Sequence, residues 1–272
     1  MRIYISLDAE GATGLCDFSE VEPQSPLYHR GVTAMERDLR AVLEGAREGG
    51  ATEFYVCDAH EMGRNLSLDH LGEDVIVVRG TGHALSMMAG VDRAEFDGAF
   101  FVAYHGKNGS QGVMAHTYYP GVVERVLVAG HEVGELGMNI PVAWAFGIPA
   151  LLATGDDVLL EEARKVAPRI ERCLVKEALG PGCALCYDGQ RTAHDLRVSA
   201  KRAVLNLRSA RDPIAVAGDL EVVFHTPWQA QAAAAYGELQ EGNRVSFQGD
   251  DYLAAFKKAV RAMGAAAEVE IG

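Results

Sequence analysis

The chain has 272 residues, 49% of them hydrophobic and 23% charged, with 25 Lys and Arg against 38 Asp and Glu for a net charge of −13. These proportions exclude a disordered, collagenous or coiled-coil chain, and a chain of this length buries about three quarters of the surface it exposes when unfolded. The acidic balance argues against nucleic acid or an anionic membrane as partner, since both require clustered Lys and Arg; it suits a site that gathers carboxylates around metal cations.

No run approaches the roughly 20 apolar residues of a transmembrane helix, and Asp8 ends the apolar opening before a signal peptide forms. Cysteines at 16, 57, 173, 183 and 186 are odd in number and scattered, so a disulfide framework is not expected and the cytoplasm is. Cys183-Ala-Leu-Cys186 has redox or zinc-ribbon spacing, but no second pair or nearby histidine completes it; it reads as two thiols in a loop.

Strands and helices alternate through the first half. Arg2–Leu7 reads as a buried strand stopping at Asp8-Ala-Glu-Gly. Thr33-x-x-Glu36 reads as a capping box, followed by Met35, Leu39, Val42, Leu43 and Ala46 at helical spacing up to Gly49-Gly50. Strands are expected at Glu53–Cys57, Val75–Val78 and Ala99–Ala103, and a pair around Ala129-Gly130. Glu135–Phe146 reads as a helix containing Pro141, Ile148–Ala153 as another buried strand, and Gly155-Asp156-Asp157 as the start of a helix that Pro168 ends. This alternation implies an α/β fold, a mainly parallel sheet with helices on both faces. Beyond about residue 165 the pattern changes to helix (Gln190–Leu207), strand (Asp219–Phe224), helix (Trp228–Tyr236), strand (Arg244–Phe247) and helix (Tyr252–Met263). The expected organisation is a metal-binding catalytic domain over residues 1–165 and a smaller α+β domain over 166–272 that shapes the pocket and the subunit contacts.

Asp8 and Glu10 follow the first strand, His60 the second and His105 the strand at Ala99–Ala103. In open α/β sheets ligands bind beyond the carboxyl ends of the strands, and three strands delivering acids and imidazoles to one edge is what lifts these residues above ordinary caps and turns. Gly106–Gly112 is a Gly/Ser/Asn-rich loop leading to His116. Glu135 opens a helix, where spacing alone reads it first as a favourable first-turn charge and only second as a ligand. Three carboxylates and two imidazoles without a thiolate suit two divalent ions, because one carboxylate can bridge. Such a pair activates a shared water and polarises a carbonyl, and the unliganded His116 is the candidate proton carrier.

These segments, Asp8-Ala-Glu-Gly11, Cys57-Asp58-Ala59-His60, Tyr104-His105, Gly112-Val-Met-Ala-His116-Thr117, Gly134-Glu-Leu-Gly-Met-Asn139 and Gly155-Asp156-Asp157, agree in order and spacing with one family. The sequence resembles the zinc-dependent D-aminopeptidases of the DppA type, peptidase family M55. The resemblance implies two zinc ions per chain, with other divalent transition metals as substitutes. It implies that Asp8 bridges them, with Glu10 and His60 completing one site and His105 and Glu135 the other. It further implies His116 as the catalytic histidine, short peptides such as D-Ala dipeptides as substrates, and a ring-shaped homo-oligomer, a pentamer or decamer, with active sites facing an inner channel. Glu61 and Ala115 depart from the family's usual residues beside the site and bear on substrate choice.

Other residues carry weaker signals. His83 follows a Gly-rich turn that lacks the phosphate-loop pattern, His131 falls in a hairpin, and His225 ends a strand of the second domain, where a pocket role is open. Asp156 reads as a helix cap or a support for the metals, and Asp58 as a support for a ligand imidazole. No Gly-x-Ser-x-Gly elbow points to a serine nucleophile. The alternative is a dinuclear-metal amidase or other hydrolase acting on a non-peptide substrate; a binding module without turnover would lack a use for His116.

Overall fold

The computed structural model describes residues 1–207 and 218–269. Its strands are β1 (Arg2–Leu7), β2 (Glu53–Asp58), β3 (Val75–Val78), β4 (Gly98–Val102), β5 (Val123–Val128), β6 (His131–Val133), β7 (Ala150–Asp156), β8 (Glu171–Gly180), β9 (Cys183–Cys186), β10 (Asp219–Phe224), β11 (Glu238–Leu239) and β12 (Arg244–Gln248). Its helices are α1 (Tyr28–Glu48), α2 (Glu135–Ala145), α3 (Asp157–Val166), α4 (Gly189–Leu205), α5 (Pro227–Ala233) and α6 (Tyr252–Ala267). One sheet has the order β3-β2-β1-β4-β7-β8-β9 and a second the order β11-β12-β10-β5-β6. The larger is parallel except for the β8–β9 hairpin, and the paired strands of the smaller are antiparallel.

The α/β architecture expected from the alternation is the one observed. The central strands are buried on both faces, so their apolar residues are continuous, and period-two alternation sorts them between layers. Ile3, Ile5, Leu7, Phe100 and Val102 face Leu39 and Val42 of α1 and Leu196 and Ala200 of α4. Tyr4, Ala99 and Phe101 face the other way, into a core that includes Leu136 of α2 and Leu159 of α3 and continues through Val222, Phe247 and Phe256 of the smaller sheet and α6. No helix among the described residues is long and apolar enough to cross a membrane.

Three local expectations change. The first long helix starts at Tyr28, and Thr33 lies inside it with its hydroxyl donating to the His29 carbonyl at 2.7 Å. A Ser/Thr followed by Glu three residues on is also an ordinary helix-interior sequence, and what extends the helix is its buried stripe from Gly31 to Ala46. The Cys183–Cys186 segment is a strand rather than a loop, because it pairs with β8 as the sheet's outer edge. Sheet membership also does not change at residue 165. β8, β9 and α4 extend the larger layer, and β5 and β6 join β10 in the smaller sheet. Local pattern does not say which sheet a strand joins, since that pairing is non-local.

Candidate metal centre

Chain order runs from β1 to β2 and β3 on one side and then returns to β4 on the other side of β1. The crevice at this reversal is where an open α/β sheet places its ligands. Asp8 leaves β1 with its amide bonded to the Val102 carbonyl at 2.9 Å, and the Gly11 amide reaches the Ala103 carbonyl at 2.8 Å. A Cβ on Gly11 would lie 1.9 Å from the Tyr104 carbonyl oxygen, so only glycine lets the β1 turn press this closely on the β4 turn. His60 follows β2, His105 follows β4, and Glu135 is the first residue of α2. His116 comes from the Gly112–Thr117 loop, which Asp156 holds by accepting the Val113 amide at 2.7 Å while it caps α3 through the Leu159 amide at 2.8 Å.

All six sequence-derived residues converge. Asp8, Glu10, His60, His105, Glu135 and His116 are between 2% and 8% exposed. His60 Nδ1 lies 3.4 Å from Asp8 Oδ1 and 3.3 Å from Glu10 Oε2. His105 Nε2 lies 3.4 Å from Asp8 Oδ2 and 3.3 Å from Glu135 Oε2. The two triads share Asp8, one oxygen to each. His116 Nε2 stands back, 3.9 Å from Glu10 Oε1 and from Glu135 Oε1, and its ring stacks on His105 with centroids 4.0 Å apart.

Backbone carbonyls fix the imidazoles. His60 Nε2 meets the Val21 carbonyl at 2.9 Å, His105 Nδ1 the Gly106 carbonyl at 2.9 Å, and His116 Nδ1 the Met114 carbonyl at 2.8 Å. A carbonyl only accepts, so each of these nitrogens carries the hydrogen, and the neutral ring presents a lone pair from its other nitrogen into the cluster. This is how ligating histidines are oriented. The Tyr118 amide likewise holds Glu135 Oε1 at 2.6 Å.

The donor set fits metal ions. Asp8 Oδ2, Glu10 Oε2 and His105 Nε2 are buried and make no hydrogen bond, which would be costly for atoms without a partner. The imidazole–carboxylate separations of 3.3–3.4 Å match the edge of a tetrahedron with bonds of about 2.0–2.1 Å. Oxygen and imidazole donors without thiolate suit first-row divalent ions.

Electrostatics says the same from the proton's side. Burial, reinforced by the Glu10 carboxylate, pushes the Asp8 carboxyl up to about 7. Burial also disfavours charge on Glu10 and Glu135, but the imidazoles outweigh it and hold both below the usual carboxylate range, His60 chiefly for Glu10 and His105 for Glu135. Against the same burial, Glu10 and Asp8 raise His60, and Glu135 and Asp8 raise His105, each well above the ordinary imidazole value. His116 moves the other way, lowered by burial and by His105. Protons and divalent cations compete for these lone pairs.

Four non-glycine residues with positive φ flank the clustered side chains, namely Glu61 (51°), Ala103 (59°), Met114 (51°) and Tyr118 (57°); strain of this kind persists where the surrounding structure over-determines the backbone. Lys176, unnoticed in the sequence, is fully buried in β8, and its ammonium donates to the carbonyls of Glu10 at 2.5 Å, Leu15 at 2.6 Å and Ala12 at 3.2 Å. The signal for it was a lone lysine within the apolar stretch Cys173-Leu-Val-Lys176. Asp58 does not touch the His60 ring; it accepts the Asn65 and Leu66 amides and so holds the turn that follows. His83 lines the cavity over the cluster, whereas His131 and His225 are exposed and do not. That cavity has a volume of about 540 Å³ and is floored by Asp8, Glu10, His60, Glu135 and His116.

A doubly wound sheet that presents buried carboxylates and imidazoles at its switch point is the framework of a metallohydrolase. Residues 1–260 match the profile of peptidase family M55, described as D-aminopeptidase. A D-aminopeptidase of Bacillus subtilis (strain 168) is 31% identical over 206 residues, covering 76% of this chain and 74% of that one. The fold superposes with a TM-score of 0.95, at 28% identity and over 100% of both chains, on a structure described as Zn-dependent D-aminopeptidase DppA from Bacillus subtilis, a self-compartmentalizing protease. The chain belongs to the D-aminopeptidase family M55 and is a metallopeptidase of the aminopeptidase type.

Proposed function

We propose that the protein releases the amino-terminal residue of short peptides, above all D-amino-acid peptides such as D-Ala dipeptides, with two zinc ions per chain. Asp8 would be shared between them, Glu10 and His60 would complete one site, and His105 and Glu135 would complete the other. The observation that carries this reading is that His60 Nδ1 lies 3.3–3.4 Å from Asp8 Oδ1 and Glu10 Oε2 while His105 Nε2 lies 3.3–3.4 Å from Asp8 Oδ2 and Glu135 Oε2. These atoms lie within a cluster whose mutually close donors also include Asp8, Glu10 and His105 together and His105, His116 and Glu135 together. The zinc dependence of the structural relative supports the choice of metal. When bound, zinc supplies a lowered pKa for water and polarisation of the scissile carbonyl.

The chain's own groups do the rest. The Met114 carbonyl keeps the hydrogen on His116 Nδ1, so Nε2 is the atom that takes a proton and delivers it to the leaving amine. Burial of the cluster excludes bulk water and strengthens every charge interaction within it. Residues 1–165 carry the ligands. Residues 166–272 contribute to the pocket through Val260 and Arg261 and would supply subunit contacts. A ring-shaped homo-oligomer, pentamer or decamer, accords with the self-compartmentalizing relative, and five unpaired thiols accord with a cytoplasmic location.

The test is metal content per chain, measured together with hydrolysis of D-Ala and L-Ala amides and dipeptides. Two zinc ions with D-selective release support the reading. No bound metal overturns it, and cleavage of simple aryl amides without peptides moves the activity to a non-peptide amidase. Light scattering of the loaded protein tests the ring.

A further inference from the structure

The cavity above the cluster has one cationic side chain in its wall that neither the fold nor the proposed metal chemistry uses. Val260 and Arg261 of α6 line it. Arg261 is exposed, and among the described residues it has no ion-pair or hydrogen-bond partner. It stands with the loop that follows His116. A Cβ on Gly264, one turn further along α6, would lie 3.8 Å from the Tyr119 hydroxyl, and Tyr119 lines the same cavity. Two carboxylates of the rim stand beside His60: Glu61 follows it directly, and Glu22 follows Val21, whose carbonyl takes the His60 Nε2 hydrogen; Glu61 and Glu268 also act on Tyr119. Neither Glu22 nor Glu61 pairs with Arg261. His83 adds a second donor, because its Nδ1 accepts the Leu85 amide at 3.2 Å and its ring hydrogen is therefore on Nε2.

We propose that Arg261 is a carboxylate subsite that reads the free carboxyl terminus of the substrate, with the His83 Nε2–H as a second donor. The inference rests on the aminopeptidase reading and narrows its substrate class to short peptides with a free carboxyl end, dipeptides foremost. An extended dipeptide spans about 7 Å, which a cavity of about 540 Å³ accommodates with its amino end over the cluster. Guanidinium matches carboxylate in a planar fork, a geometry an ammonium lacks. With Glu22 and Glu61 on the rim, the cavity favours a zwitterion, which carries a cation as well as an anion, over a dianion such as a phosphate ester. Arg261 also lies one residue past the stretch matched by the family profile, so the subsite is read from this chain's own pocket.

The experiment compares D-Ala-D-Ala with its carboxyl-terminal amide on zinc-loaded protein. It uses kcat/KM for wild type, Arg261→Ala and Arg261→Lys, and calorimetric Kd for both ligands in a His116→Ala background with and without Arg261→Ala. Wild type is expected to favour the free acid by about tenfold or more, entered through KM. Arg261→Ala collapses that ratio toward one in both kinetics and Kd, and Arg261→Lys restores part of it. A wild-type enzyme that cleaves acid and amide equally, or a ratio untouched by Arg261→Ala, overturns the subsite and leaves the aminopeptidase reading standing. A zinc-loaded wild type that cleaves neither overturns that reading and the subsite with it.

Discussion

The crevice at the carboxyl ends of β1, β2 and β4 and the antiparallel sheet around β10 obey different rules. Around β10 the helix starts are capped locally, although Ala129 and Asn243 there also adopt positive φ. Thr226 and Gln229 form a reciprocal capping box at the start of α5, and Asp251 caps α6. In the crevice four buried polar atoms, on Asp8, Glu10, His105 and Tyr118, go without hydrogen bonds, and four residues adopt a backbone that L side chains avoid. The contrast teaches where stability is spent: a well-formed remainder sustains a site whose groups are held apart from one another for a ligand.

The sharpest way to break the contrast is to remove the shared carboxylate. Asp8→Asn is expected to abolish tight metal binding and lower kcat/KM by about 10⁴-fold, read by metal content and peptide hydrolysis. The same change has a stability signature in chelator-treated protein. An Asp8 carboxyl pushed up to about 7 keeps its proton in the fold where the unfolded chain has lost it, so its stabilisation falls as pH rises from about 4 through 7. The raised His60 and His105 add to this, contributing fully below about pH 6.5 and less as pH climbs toward their folded values. Glu10 and Glu135, held low, contribute above about pH 4.5 and lose that contribution as pH falls. Stability of the stripped protein should therefore peak between about pH 4.5 and 6.5, and Asp8→Asn should flatten the alkaline side. Urea titrations across pH that showed a steady rise to pH 8 would contradict the assignment.

Next in size is His116→Ala. It should lower kcat by about 10²- to 10⁴-fold with metal content unchanged; loss of metal instead would make His116 a ligand. Lys176→Met tests what supports the crevice from below. It strips the donor from three buried carbonyls, one of them that of Glu10, and should cost roughly 2–4 kcal/mol in urea unfolding and weaken metal affinity. Unaltered stability would mean that water satisfies those carbonyls. The smallest effect belongs to the regular region, where Thr226→Ala should cost about 1 kcal/mol, a shift of about 2–4 °C in Tm, through loss of the cap.

The legible part of the fold was the part written in local pattern. Arg2–Leu7 and Val75–Val78 were read with their observed bounds because turn residues close them. The start of α1 was misread at Thr33 because a capping sequence is short and its competitor, a buried stripe reaching back to Gly31, depends on what the helix packs against. At the site, Asp8, Glu10, His60 and His105 were legible as chemical residues at strand ends. Glu135 was ambiguous in the sequence, since a first-turn glutamate serves the helix dipole wherever its side chain points. Lys176 was missed because its partners are carbonyls more than 160 positions away.

The sequence by itself therefore determined the alternation that makes the sheet parallel and the set of acids and imidazoles that its strands deliver to one edge, because hydrophobic periodicity and residue chemistry are local. Only the tertiary structure decided which sheet β5, β6, β8 and β9 join, which nitrogen of each histidine faces the cluster, and that the two oxygens of Asp8 serve two separate triads. It also decided that Arg261 of α6 lines the cavity over residues of β1 and β2. Most of those outcomes rest on contacts between distant segments, such as the Val21 carbonyl beside the His60 ring; the Gly106 and Met114 carbonyls lie next to their histidines in sequence, but the backbone fold decides that they meet the ring.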